Sequence, residues 1–116
     1  MKILLDKQRE ELIANHNKVC VTHSWPVMPA IYPVVKLFVC VGGNATWLLT
    51  ELDPETNIAF GLCDLGHGFP ELGYVDLTEL EDTLDWRLER DRHWTPDDRT
   101  LGQYAIDARA AGMIVA

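Results

Sequence analysis

Between Leu37 and Trp86 the chain has no lysine and no arginine. Those residues carry ten carboxylates instead: Glu51, Asp53, Glu55, Asp64, Glu71, Asp76, Glu79, Glu81, Asp82 and Asp85. The lack of clustered cations excludes a general affinity for nucleic-acid phosphates, so no direct DNA or RNA contact is expected. Long apolar runs are also missing. The stretch Ile3-Leu4-Leu5 stops at Asp6-Lys7-Gln8-Arg9, short of a secretory h-region, and no other window is long enough to span a bilayer. The expectation is a cytoplasmic protein without membrane contact. Cysteine is scarce and odd in number, with Cys20, Cys40 and Cys63 and no C-x-x-C pair, which fits reduced thiols rather than a disulfide framework. Asn44-Ala45-Thr46 then reads as a turn and not as a glycosylation site.

What is present describes a folded protein. Hydrophobic content of 47% and charged content of 24% over 116 residues suit one domain, 1–116, with a buried core. Eighteen acids against ten bases leave a net charge of -8. A charge run of this kind ordinarily solvates a surface. It also steers a basic partner by long-range complementarity, and a protein that handles nucleic acid is the partner this sign favours.

The segment "DKQREELIAN" predicts a short helix capped by Asp6 and ending near Asn15-His16-Asn17. Pro26, Pro29 and Pro33 then enforce an extended connection. "VVKLFVCV" predicts a buried strand, Gly42-Gly43-Asn44 a tight turn, and "ATWLLTEL" the returning strand of a hairpin. After the turn at Asp53-Pro54-Glu55-Thr56-Asn57 comes "IAFGLCDL", and after a glycine-rich loop "GYVDL". Thr78 and Glu81 have capping-box spacing for a helix to about Arg87, and "LERDRHW" predicts a last strand. Thr100 and Gln103 repeat the box before "LGQYAIDARAAG", with Gly112 as its stop. The predicted fold is α+β: an antiparallel meander of about four to five strands with two to three flanking helices. Trp47, Phe60, Tyr74, Trp86, Trp94 and Tyr104 are the expected aromatic core.

Four sets of residues invite a chemical reading. His16, Cys20 and His23, with Cys63 and His67 as further donors, have the residue types of a zinc site but not its paired spacing, and no metal or cofactor is assigned. The glycines from Gly61 to Gly73 lack the lysine and the following helix of a phosphate loop. They read as a strand, a bend and a returning strand, in which Gly66, Gly68 and Gly73 serve backbone geometry and Asp64, His67, Phe69 and Glu71 are displayed. Phe69 either plugs the fold or anchors a partner. In "LERDRHW" the two-residue strand period puts Glu89, Asp91 and His93 on one face, a set suited to a metal-dependent nuclease or other hydrolase. The plainer account of that strand is an exposed edge with charges alternating across it. Lys36, alone in an apolar strand, snorkels at an edge or pairs with Glu51 or Asp64.

"PVVKLF", "TWLLTELDPE", "FGLCDLG", "PELGYVDLTELE" and the closing "RAAGMI" resemble an uncharacterised family encoded on bacterial plasmids and integrative conjugative elements, carried as a domain of unknown function. The resemblance covers most of the chain, least well at residues 18–32. It implies a genetic setting, among antirestriction, partition and transfer functions, and no catalytic residues. The expected function is thus a non-enzymatic, acidic interaction protein of a mobile element. It would bind a basic or nucleic-acid-handling protein through Asp64, His67, Phe69, Glu71, Glu79, Glu81, Asp82 and Asp85, in the manner of an antirestriction or anti-CRISPR inhibitor. The alternative from another class is the hydrolase centred on Glu89, Asp91 and His93.

Overall fold

The computed structural model describes residues 3–19 and 31–116, and the expectations for Cys20, His23, Pro26 and Pro29 lie outside them. Among the described residues five antiparallel strands form one sheet: β1 (Val35–Val39), β2 (Thr46–Asp53), β3 (Ile58–Asp64), β4 (Glu71–Asp76) and β5 (Leu88–Arg90). Their order is β4-β3-β2-β1-β5, so the first four make the predicted meander and β5 adds beside β1. Among the described residues three α-helices accompany the sheet: α1 (Asp6–Val19), α2 (Leu77–Leu84) and α3 (Leu101–Ala111). The fold is α+β.

The central strand β2 explains the layering. Trp47, Leu49 and Leu52 point to one face and join Leu12 of α1 and Leu77 at the start of α2. Leu48 points to the other face and meets Leu62 with Leu101, Tyr104 and Ala108 of α3. Apolar side chains on both faces are what a strand covered on both sides requires. Between Leu49 and Glu51 the pairing with β3 slips, so that Leu49 faces Gly61 and Glu51 faces Phe60, with Thr50 as the extra residue of a bulge. The amide of Asn15 in α1 donates to the Thr50 carbonyl at 2.9 Å, which ties the bulge to the helix. The helix runs on to Val19, slightly past the end expected near Asn15-His16-Asn17.

Two caps differ in how they match expectation. Thr100 Oγ1 accepts from the Gln103 N–H at 3.3 Å and Gly112 closes α3 in the left-handed region, as predicted. α2 is capped by Asp76 instead of Thr78, with the Asp76 carboxylate accepting from the Glu79 N–H at 3.2 Å. Thr78 is occupied elsewhere, accepting from the Asn57 side-chain amide at 2.9 Å. α2 ends at Leu84 and a single 3-10 turn, Asp85–Arg87, leads into β5.

β5 has three residues and not seven. The Asp91 N–H donates to the Lys36 carbonyl at 2.9 Å, and the Asp91 carboxylate then accepts from the His93 N–H at 3.1 Å. This local turn competes with the ladder and ends the strand. Lys36 pairs with Asp91 at 3.7 Å, and not with Glu51 or Asp64. The aromatic core is smaller than predicted: Trp47 and Tyr104 are buried and Phe60 and Trp94 partly so, while Tyr74 and Trp86 are 68% and 63% exposed.

Candidate functional site

The stretch without bases folds into β2, β3, β4 and α2, and its acids separate into two kinds. Asp64, the last residue of β3, is buried, with one carboxylate oxygen accepting from Gly66 N–H at 2.9 Å and the other from Ile114 N–H at 3.0 Å. It shapes the loop from within and is not displayed on it. Glu81 is half-buried and accepts from the Ile3 N–H at 3.2 Å. The remaining candidates, His67, Phe69, Glu71, Glu79, Asp82 and Asp85, are exposed. Phe69 is the most open of the large apolar side chains among the described residues at 81%, so of its two expected dispositions the structure has the outward one.

The loop 65–70 turns on two glycines and on the Asp64 carboxylate. Gly66 and Gly68 take φ of +82° and +86°, and a Cβ on Gly66 would collide with the Asn44 side chain, so this bend requires glycine. Gly73, by contrast, lies in β4 with open space where a Cβ would go, and backbone geometry does not demand it. Cys63 pairs with Glu71 across β3 and β4, and burial, with the Glu71 charge second, pushes its thiol up to about 11. A thiol held so high is not a nucleophile at neutral pH.

Beside this loop, α2 and the sheet it packs against border a groove of about 660 Å³. Trp47, Leu65, Val75, Leu80 and Leu84 contribute its apolar lining, and Asp76 and Glu79 stand among the residues around it. Acids at the start of α2 are favoured by the helix dipole, so the carboxylates here do not strain the fold. Arg87, the one lysine or arginine among the described residues that touch the groove, donates to the Thr83 carbonyl at 3.3 Å near the end of α2.

Glu89, Asp91 and His93 line a second cavity, of about 740 Å³, together with Trp86, Arg90 and Arg92. The loss of strand beyond Arg90 removes the alternation that would aim all three from one face. Among the described residues no group of three His, Cys, Asp or Glu side chains is placed to hold a metal ion. Asp91 is engaged with Lys36, and Glu89 and His93 are exposed. The arrangement brings the three into one cavity without bringing them onto one point.

Glu51 is the residue that sequence reading placed only as a partner for Lys36. It is 2% exposed beside a cavity of about 380 Å³ that His16, Asp53 and Tyr74 also line, and burial pushes its carboxyl up to about 7. The signal was its position inside the apolar run of β2, where a strand with both faces covered must bury it.

Among the described residues no helix is long and apolar enough to cross a membrane. A family model described as "Protein of unknown function (DUF2958)" matches residues 3–115. No curated protein and no solved structure matches the chain.

Proposed function

The chain belongs to this family of proteins of unknown function, DUF2958, and from that premise we propose that it is a non-enzymatic interaction protein of a mobile genetic element. Its acidic face binds a basic protein that handles nucleic acid, and the concrete version is inhibition of a host defence system of antirestriction or anti-CRISPR type. The observation that carries the reading is the exposure of Glu71, Glu79, Asp82 and Asp85 on a stretch with no base, a stretch that also holds the outward Phe69. Carboxylates so placed offer a partner's Lys and Arg the charge they otherwise take from phosphates, and occupying that basic surface blocks it. The mobile-element setting is supported by the resemblance of "FGLCDLG" and "PELGY" to proteins of plasmids and conjugative elements.

Affinity capture from a host lysate, with mass spectrometry, tests the reading. A basic nucleic-acid-handling protein should be retained, be released by salt, and be lost when Glu79, Asp82 and Asp85 are changed to their amides. Retention of the same protein by the neutralised chain counts against the acidic face.

The hydrolase reading keeps one observation in its favour, the shared cavity of Glu89, Asp91 and His93. Calorimetric titration with Mg²⁺, Mn²⁺ and Zn²⁺ separates the two. A site of this kind should take up one of these ions, and loss of uptake in Asp91→Asn would locate it.

A further inference from the structure

We infer that the groove between α2 and the sheet is the anchor point of the acidic face, and that its occupant is an amphipathic segment of the partner, with an apolar side chain flanked by Lys or Arg. The inference rests on the proposed reading and names the site and the chemistry of its ligand. It starts from the coincidence of two properties in one place. The groove has its apolar floor in the half-buried Val75, Leu80 and Leu84, with the edge of the buried Trp47 behind them, and Leu65 reaches it from the loop at 56% exposure. Asp76 and Glu79 stand beside that floor, and all its lining except Arg87 comes from the stretch without bases. Apolar area supplies the larger part of a docking energy, and the carboxylates decide which sequences are accepted.

Charge selects among the occupants. A second copy of the chain brings the same net charge of -8 and the same acidic groove, so self-association through this surface meets repulsion. Nucleic acid and anionic lipid are repelled for the same reason. A neutral apolar segment would fill the floor and leave Asp76 and Glu79 to be desolvated without a counter-charge, which is unfavourable. A segment with an apolar anchor and adjacent cations meets both requirements. Arg87 makes no ion pair with Asp76 or Glu79 among the described residues, and its guanidinium donates to the Thr83 carbonyl.

The probes are three synthetic peptides of equal length, followed by backbone amide shifts of the isotope-labelled chain at near-physiological salt. One peptide alternates Leu and Lys with helical spacing, one replaces each Leu by Ser, and one replaces each Lys by Glu. The Leu/Lys peptide should bind saturably, with shifts concentrated in Val39–Trp47, Leu65–His67 and Val75–Leu84. The Ser/Lys peptide should bind about tenfold more weakly or worse, and the Leu/Glu peptide not at all. Leu65→Ser and Glu79→Lys, both exposed and outside the core clusters, should each weaken the Leu/Lys peptide by about tenfold with the fold intact. If the Ser/Lys peptide binds as tightly as Leu/Lys, or if shifts gather elsewhere on the surface, charge alone holds the partner and the groove inference falls while the acidic-face reading stands. If neither cationic peptide binds, both fall.

Discussion

The carboxylate of Asp64 accepts a hydrogen bond from the backbone N–H of Ile114 at 3.0 Å, across fifty positions of sequence. The end of β3 is thereby fastened to the segment that follows α3. The second oxygen of Asp64 holds the Gly66 N–H, so one side chain fixes both the chain terminus and the loop that carries His67 and Phe69. Display of the loop and burial of Asp64 are thus two sides of one arrangement, and a residue expected at the partner surface acts beneath it.

Replacing Asp64 by Ala leaves the buried Ile114 N–H and the part-buried Gly66 N–H without their acceptor. The expected loss is about 2–4 kcal/mol, since each orphaned donor costs its desolvation and the lost acceptor was charged. Urea unfolding measures the total, and hydrogen exchange at the Ile114 and Gly66 amides locates it. Both amides should exchange much faster in the variant. Unchanged protection at Ile114 would show that the terminus is held by other contacts.

Glu51 makes stability depend on pH in the direction opposite to most carboxylates. Its folded value of about 7 lies above the ordinary 4.5, so the folded protein binds a proton that the unfolded chain has released. Stability from this group is greatest below the unfolded value, declines as pH rises from 4.5 to 7, and is flat above. The decline is roughly 3 kcal/mol at about 1.4 kcal/mol for each tenfold change in proton activity. Glu51→Gln keeps the shape of the side chain and removes the titration. Its stability advantage over the parent should therefore grow between pH 5 and pH 8 in urea melts. Two parallel pH profiles would mean that Glu51 stays ionised in the folded state.

Local chemistry made much of this fold legible. The glycine turns, the strands from β1 to β4 and the Thr100 cap of α3 all follow from residues within a few positions of one another. What stayed hidden depends on partners distant in sequence. Thr78 and Asp76 both have capping chemistry, and the choice between them falls to Asn57, which occupies the Thr78 hydroxyl from another turn. "LERDRHW" alternates like a strand, yet Asp91 ends it by turning back onto His93. Tyr74 and Trp86 look like core residues by type, and only the positions of β4 at the sheet edge and of the 3-10 turn leave them in solvent. The acids of the candidate site were visible as a charge pattern. Their division into structural ones, Asp64 and Glu81, and displayed ones was not, because it is decided by the Ile114 and Ile3 amides at the two ends of the chain.

Gly61 and Gly73 face each other across β3 and β4 and should respond oppositely to a methyl group. At Gly61 a Cβ would overlap the carbonyl oxygen of Leu48 on the neighbouring strand, next to the bulge at Thr50. Backbone cannot yield there as a flexible side chain would, and Gly61→Ala should cost about 3 kcal/mol or more. At Gly73 the space is open, and Gly73→Ala should be neutral or stabilise by about 0.5 kcal/mol through the unfolded state. Thermal melts of the two variants decide it, and equal effects would remove the close approach at Leu48 as the reason for Gly61.

Asp85 offers a way to separate binding from folding. It closes α2 with φ of 49° and ψ of -123°, a conformation that side chains with a Cβ rarely take. Its N–H still donates to the Glu81 carbonyl, so the backbone arrangement does not depend on the carboxylate. Asp85→Gly should therefore raise stability by about 1 kcal/mol, by releasing the strain of a non-glycine residue. The same change deletes one displayed acid next to Asp82. A charge that serves only solubility would be lost without consequence for any complex. If Asp85 belongs to the partner surface, the more stable variant should bind the captured partner more weakly, with a reduced dependence of affinity on salt. Asp85→Asn, which removes the charge and keeps the strain, should weaken binding to a similar extent without the gain in stability. Weaker binding in both variants, with stability raised in only one, assigns the loss to charge and not to a disturbed fold.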